Sequence, residues 1–322
     1  MKYHIITYGC QMNENDSERI AAQLEKKGYQ PAKKIDQADL VVINVCSVRQ
    51  SAMDRVYSKV KKLKNPKIIL TGCLLEKDKK QLASQVDEIW PIIDLKISPK
   101  RQSPDQALVP IMTGCNNSCT YCVVPYTRGR EYSRPAQKII KEVEDLVKKG
   151  YKEITLLGQN VNSYQDFPKL LKLINDIPGN FQIKFLTSHP KDMSDELIKV
   201  IAQSEKISQE IHLPVQSGDN QILKKMNRGY TVRDYQNLVK KISQQIPQAK
   251  ISTDIIVGFP GETKKQFQNT IKLVKEIGFK KAYVSAYSCR SGTAASKLKD
   301  DVPSREKKRR KRVLLNILNN AQ

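Results

Sequence analysis

No run of apolar residues in this 322-residue chain approaches the ~20 needed to cross a bilayer as a helix, so a helical integral membrane protein is excluded. The opening residues, Met1-Lys2-Tyr3-His4, enter a strand-like pattern at once. They lack the basic start, apolar stretch and small-residue cleavage site of a secretory signal. The expected compartment is the cytoplasm, without membrane association. Acidic side chains are in short supply: 33 Asp and Glu face 56 Lys and Arg, a net charge of +23. Only 6 of those net charges belong to the first hundred residues. Such an excess points to a polyanionic partner, most often nucleic acid. Histidine is limited to three residues, and there are no repeats or low-complexity tracts. The seven cysteines are an odd number in a reducing compartment, which argues against a disulfide framework and leaves thiols available for metal.

The pattern predicts an α/β chain of two units. Residues 1–98 alternate short apolar runs (Lys2–Tyr8, Leu40–Val45, Lys67–Leu70) with helical spacings (Asp16–Lys27, Ser51–Leu63, Glu76–Gln85). That alternation predicts a doubly wound parallel sheet. A polar stretch holding Pro99 and Pro104 places a linker at 99–106. Over 107–304, six strands separated by helices are expected: Leu108–Met112, Glu153–Leu157, Gln182–Leu186, Ser208–Leu213, Lys250–Val257 and Lys281–Tyr287. Six βα units are too few for a closed eightfold barrel and suit an open, partial one, with strand C-termini on one face. Residues 305–322 read as an exposed helix that opens with seven basic residues and one acid across 305–312.

Cys115, Cys119 and Cys122 follow the first strand of the second unit with C-x3-C-x2-C spacing. Three thiolates suit three irons of a [4Fe–4S] cluster, leaving the fourth iron open to an outside donor. A closed zinc site would want a fourth nearby ligand, and the nearest histidine, His189, is far along the chain. Cys10, Cys46 and Cys73 are scattered, yet each follows an apolar strand. In a parallel sheet those strand ends share one edge, so the three would converge there as a second cluster site. The competing reading is three buried structural thiols.

The run Thr113-Gly114-Cys115-Asn116-Asn117-Ser118-Cys119-Thr120-Tyr121-Cys122 resembles the radical SAM loop of the methylthiotransferases. Its continuation, Val123-Val124-Pro125-Tyr126-Thr127-Arg128-Gly129-Arg130-Glu131, resembles the MiaB branch of that family, the tRNA methylthiotransferases. Tyr8-Gly9-Cys10-Gln11-Met12-Asn13 and Cys46-Ser47-Val48-Arg49 match the N-terminal domain of that branch, and Leu213–Gly218 and Asp254–Thr263 match its barrel. Two departures stand out. The usual C-terminal TRAM domain is not in the sequence, and Cys289 occupies a position where the family usually has proline.

The resemblance implies two [4Fe–4S] clusters, on Cys115/Cys119/Cys122 and on Cys10/Cys46/Cys73, and S-adenosyl-L-methionine as cofactor. It implies cleavage of that cofactor to a radical, and transfer of a methylthio group to carbon 2 of N6-isopentenyladenosine beside the tRNA anticodon. The sister branches, acting on threonylcarbamoyl-adenosine or on a ribosomal-protein aspartate, remain alternatives, as does a non-enzymatic RNA-binding module with structural metal. A flavodoxin or ferredoxin would donate electrons to a monomer. Tyr121, Gln159, Asn160, Ser188 and Gln216, at or after strand ends, are candidates for holding the cofactor. Arg128, Arg130 and Arg134 are candidates for tRNA phosphate, which guanidinium forks suit. His212, inside an apolar strand, is expected to be a satisfied core histidine.

Overall fold

The computed structural model describes residues 1–320. The first unit alternates β1 (Lys2–Thr7), α1 (Gln11–Lys26), β2 (Gln30–Pro31), β3 (Leu40–Cys46), α2 (Gln50–Lys62), β4 (Lys67–Cys73), α3 (Glu76–Leu82) and β5 (Glu88–Ile89). All five strands are parallel, in the order β2-β1-β3-β4-β5. β3 is central and covered on both faces. Val41, Ile43 and Val45 pack with Met53 and Val56 of α2, whereas Leu40 and Val42 pack with Ile20 and Leu24 of α1. The order reverses between β1 and β3, and the C-terminal ends at such a switch point are where doubly wound sheets bind ligands.

α1 begins five residues earlier than the apolar spacing predicts. Its first turns are polar, yet Asn13, Asn15, Asp16, Ser17, Glu18 and Arg19 are all buried. Asn13 and Ser17 bond to the strand ends of their own sheet, and Asn15, Asp16, Glu18 and Arg19 meet the second unit or the segment that leads into it, so hydrophobic periodicity could not reveal them.

The second unit contains β6 (Gln106–Pro110), β7 (Met112–Thr113), α4 (Val124–Thr127), β8 (Tyr132–Ser133), α5 (Ala136–Lys148), β9 (Glu153–Leu157), α6 (Phe167–Asn175), β10 (Gln182–Phe185), α7 (Asp195–Gln203), β11 (Glu210–His212), α8 (Asn220–Lys225), α9 (Val232–Gln245), β12 (Lys250–Val257), α10 (Lys264–Ile277), β13 (Lys281–Ala286) and α11 (Ser304–Asn320). Parallel pairing runs β6-β9-β10 and β11-β12-β13, and a bridge between Ile183 and Ile207 joins the two halves. The six expected strands thus lie side by side in chain order as an open, partial barrel. The short antiparallel pair β7–β8 was not foreseen; it closes the loop that carries Cys115, Cys119 and Cys122. No helix among the described residues is long and apolar enough to cross a membrane.

The seam between the units is polar. Asn15 Nδ2 donates to the Leu108 carbonyl at 3.0 Å, and Arg101 reaches both Glu18 (3.3 Å) and Glu142 (2.6 Å). Residues around the predicted linker are pinned down: the Lys100 amide donates to the Glu18 carbonyl, and Arg19 Nη1 donates to the carbonyls of Leu95 and Ile97.

The expectation of a wholly exposed basic helix is corrected at two positions of α11. Lys307 and Arg310 are buried, and Leu314 and Leu318 join the core of the second unit. A helix carrying an apolar stripe docks by it, and these two cations lie on that side.

Candidate metal centres

Cys10, Cys46 and Cys73 stand at or just past the C-terminal ends of β1, β3 and β4, on one edge of the sheet. Cys10 is the N-cap of α1, and Cys46 lies directly opposite Cys73 in the β3–β4 register. Two side chains shape the floor. Asn13 Nδ2 donates to Asn44 Oδ1 (2.9 Å) and to the Val45 carbonyl (3.0 Å), while Asn44 Nδ2 donates back to the Asn13 carbonyl (2.8 Å). Asn13 Oδ1 also lies 3.5 Å from Cys10 Sγ. Gly72 adopts φ +96°, and a Cβ there would stand 2.4 Å from Asn44 Oδ1 and 2.5 Å from the Val45 carbonyl oxygen. Only glycine allows this turn and this approach.

Burial pushes the Cys46 thiol up to about 12, with the neighbouring Cys73 adding to the shift. Burial also raises Cys73, against the pull of Arg128. In the metal-free chain these thiols are protonated, so a metal must displace protons to bind.

The second triad sits on the loop between β7 and α4. Gly114, at φ +78°, donates its amide to Gln159 Oε1 at 2.5 Å, and a Cβ there would meet the Arg130 carbonyl oxygen at 2.1 Å. The Asn117 amide donates to Cys115 Sγ at 3.4 Å. Burial raises Cys115, and pushes Cys122 up to about 12. The loop is tied to the rest of the barrel: the Thr120 amide donates to the Met226 carbonyl, and Asn227 Nδ2 donates to Ser118.

Among the described residues, no three or more His, Cys, Asp or Glu side chains gather as a single ion requires. The thiols of each triad are nonetheless near enough to shift one another's pKa. A four-iron cluster takes its thiolates from around a body several ångströms across, and two sets of three on strand-end loops have the right chemistry for it.

Two arginines complete these centres. Arg128, just past α4, donates from Nε to Cys73 Sγ at 2.9 Å and from Nη2 to Asp16 at 2.6 Å, with both side chains 2% exposed. Burial works against its charge, but Cys73 and Asp16 together outweigh it and raise its pKa. The expectation that Arg128 meets phosphate is therefore corrected: its fork is committed inside the protein. Arg134 is likewise committed, to Glu142 at 2.7 Å and to the Pro110 carbonyl, while Arg130 alone of the three is exposed.

Arg228, which the sequence reading missed, is 5% exposed. It donates from Nη1 to Cys119 Sγ and toward the Tyr121 hydroxyl, each at 3.4 Å, and from Nη2 to the Pro214 carbonyl at 2.9 Å. One arginine among 56 basic residues carries no local signal; only the turn through Asn227 (φ +56°) and Gly229 (φ +70°) brings it to the cysteine loop.

The remaining candidates line up along the barrel edge: Asn160 after β9, Ser188 after β10 and Gln216 after β11. Each is buried, and each keeps a polar atom without a partner: Asn160 Oδ1, Ser188 Oγ and Gln216 Oε1. Asn160 Nδ2 donates to Asp192 at 2.7 Å. An orphaned buried polar atom costs ~1–3 kcal/mol, and a polar ligand in the barrel mouth would relieve it. The three atoms therefore fit S-adenosylmethionine, a ligand rich in donors and acceptors.

Tyr121 packs against the small apolar cluster of Ile222, Met226, Phe259, Tyr287 and Ala295, where burial raises its hydroxyl pKa and Arg228 counters in part. Gln159 serves the Gly114 turn. His189 is held neutral, its pKa lowered to about 3 by burial and then by Arg228 and Lys191. His212 is satisfied as expected, with Ser252 Oγ at 2.9 Å on Nδ1 and Asp254 at 3.0 Å on Nε2. Cys289 is an exposed free thiol.

Comparison with known proteins agrees with this architecture. Residues 109–274 match the Radical SAM superfamily, and residues 2–93 match Uncharacterized protein family UPF0004. The chain is 44% identical to the tRNA-2-methylthio-N(6)-dimethylallyladenosine synthase of Clostridium novyi, over 99% of this chain and 81% of that protein. It is 42% identical to the synthase of the same name from Carboxydothermus hydrogenoformans, over 98% of this chain and 83% of the other. The Clostridium novyi alignment spans 368 positions against the 322 residues of this chain, so that relative carries at least 46 residues, inside the matched span, that this chain lacks. Among solved structures, the radical S-adenosylmethionine methyltransferase TsrM of Kitasatospora setae, with cobalamin and a [4Fe-4S] cluster bound, is similar in fold (TM-score 0.60, 13% identity, 88% of this chain and 74% of that one). The cobalamin-dependent radical enzyme OxsB is similar over 99% of this chain and 56% of its own (TM-score 0.59, 12% identity).

Proposed function

The chain belongs to the tRNA-2-methylthio-N6-dimethylallyladenosine synthase family of radical SAM enzymes, and on that footing we propose that it transfers a methylthio group to carbon 2 of N6-isopentenyladenosine beside the tRNA anticodon. The observation that carries the reading is the pair of three-cysteine sets, each at a strand-end edge, in a chain whose two units are sewn together at that edge.

Cys115, Cys119 and Cys122 hold one [4Fe–4S] cluster, and Cys10, Cys46 and Cys73 hold the other. When bound, these clusters and S-adenosylmethionine supply the radical and the sulfur. The protein contributes binding, orientation and exclusion of water. Asn160, Ser188 and Gln216 offer their free polar atoms to S-adenosylmethionine. Tyr121, with Arg228 beside it, screens the cluster loop from solvent. His189, neutral at physiological pH, adds no positive charge to the mouth already carrying Arg228. Exposed Arg130 and the outward basic residues of α11 present charge for tRNA phosphates. The target base must leave its stack to reach a buried mouth. The enzyme works as a cytoplasmic monomer, with a flavodoxin or ferredoxin as electron donor.

The test is anaerobic reconstitution of the wild-type chain and of the Cys115→Ala/Cys119→Ala/Cys122→Ala variant. About eight irons per wild-type chain and about four in the variant are expected for two clusters. Reconstituted enzyme with S-adenosylmethionine, reductant and isopentenylated tRNA should then add the mass of a methylthio group to the modified adenosine. Zinc in place of iron would leave only an RNA-binding module. Activity on threonylcarbamoyl-adenosine, or on the ribosomal-protein aspartate, would move the chain to a sister branch.

A further inference from the structure

Arg128 joins the two metal centres physically. It follows Cys122 by six residues, across the single turn of α4, and its Nε reaches Cys73 Sγ in the other unit. Its second contact, with Asp16 at 2.6 Å, sits on α1, whose N-cap is Cys10. Arg128 and Asp16 are both sealed from water, so solvent screens little of what they do to the nearby sulfurs. Arg128 Nη1 and Asp16 Oδ1 have no partner in the chain. The site therefore contains one cation and one anion with spare capacity, next to a thiol of the first triad. Arg128 holds Cys73 and Asp16 through two adjacent nitrogens of one guanidinium edge, a fixed planar geometry that lysine's single ammonium does not reproduce.

We propose that Arg128 is a positioning residue that sets the reduction potential of the Cys10/Cys46/Cys73 cluster, with Asp16 as the counterweight that limits its pull. Hydrogen bonds to the sulfurs and local net charge are what tune such clusters. A guanidinium donating to the Cys73 sulfur favours the reduced cluster, which carries one more electron. The Asp16 carboxylate opposes it. This inference rests on the reading that the first triad holds a cluster.

The two residues then have opposite signatures. The test uses the full chain carrying Cys115→Ala/Cys119→Ala/Cys122→Ala, so that only the first triad binds iron. Its midpoint is followed by EPR while dithionite donates single electrons to the cluster through mediators. Arg128→Gln should move the midpoint to more negative potential. Asp16→Asn, which keeps the cation and removes its opponent, should move it to more positive potential. Arg128→Lys, which keeps the charge and loses the fork, should fall between parent and Arg128→Gln.

A purely structural arginine would lower the unfolding midpoint of the variants without this pattern. Unchanged potentials at full iron content, or shifts of the same sign in Arg128→Gln and Asp16→Asn, overturn the proposal. Should Arg128→Gln fail to load iron, Asp16→Asn alone decides by its sign. A parent that binds no iron would instead remove the cluster reading itself, and this inference with it.

Discussion

Glu262 and Arg310 meet at 2.6 Å with side chains 1% and 4% exposed, pinning the start of α11 to the turn after β12. Glu262 also accepts from the Gly258 amide at 2.6 Å, and Arg310 donates to the Glu262 carbonyl at 2.8 Å. Removing the cation strands a carboxylate in a dry site, which typically costs ~3–5 kcal/mol. Arg310→Ala should lose stability on that scale in urea unfolding. Arg310→Ala/Glu262→Gln should lose clearly less, because no buried charge is left unpaired. Equal losses would show that the cation's packing over Phe267, and not the pair, holds the helix.

His189 gives the fold a pH dependence of known sign. Folded, its pKa is depressed to about 3, with burial the main cause. Unfolded, it titrates near ~6.5. Between those values the unfolded state binds more protons, so stability falls as pH falls, by at most ~1.4 kcal/mol per pH unit, and the loss levels off below about 3. From pH 7 to 5.5 the wild type should lose about 1 kcal/mol more than His189→Gln. Parallel pH profiles for the two proteins would contradict the buried neutral histidine.

The two glycine cradles should fail separately. Gly114→Ala forces a Cβ against the Arg130 carbonyl, and Gly72→Ala forces one against Asn44 and Val45. Each variant should keep roughly four of about eight irons after reconstitution. Combining Gly114→Ala with the Cys115/Cys119/Cys122 alanine set should cost no more iron than that set alone. Combining Gly72→Ala with it should leave almost none.

Ser188 should behave as a ligand residue and not as a structural one. Its hydroxyl is buried without a partner, so Ser188→Ala should leave stability unchanged or slightly raised. The same variant should weaken S-adenosylmethionine binding about tenfold, the equivalent of one hydrogen bond of ~1.4 kcal/mol. Equilibrium dialysis on reconstituted enzyme measures the one and thermal unfolding the other. A destabilised variant with unchanged affinity would give the hydroxyl a packing role.

Lys308 and Arg312 are exposed on α11, on the side away from Arg310. If they meet tRNA phosphates, Lys308→Ala/Arg312→Ala should reduce the slope of log affinity against log salt by about two, uniformly across tRNA sequences. A slope identical to wild type would leave that face to solvent.

Much of the site was legible before the fold. Cysteine after an apolar run, three times over, placed Cys10, Cys46 and Cys73 on one edge, because parallel strands share their C-terminal side. The C-x3-C-x2-C loop lay where a βα-unit puts its function. Asn160, Ser188 and Gln216 were placed at strand ends by the same logic, and the fold left each with a free polar atom. The six strands of the second unit were readable from short runs that are either continuously apolar, as in β9, or alternating, as in β12, each bounded by helical spacing.

What the sequence could not decide was which charges face inward. Arg128, Arg130 and Arg134 look alike along the chain, yet one is committed to a buried acid, one to a half-buried acid, and one meets solvent. Arg228 reaches Cys119 across more than a hundred residues, and α1 buries a polar first turn that resembles an exposed one. Apolar periodicity reports where a segment meets a core made of hydrocarbon. It is silent about a seam made of paired ions and amides, since a guanidinium finds its partner only when distant strands and loops have already closed around it. The amino-acid order therefore determined the strands, the place of the two thiol triads and the family resemblance, whereas tertiary packing alone decided which arginines lie against those thiols.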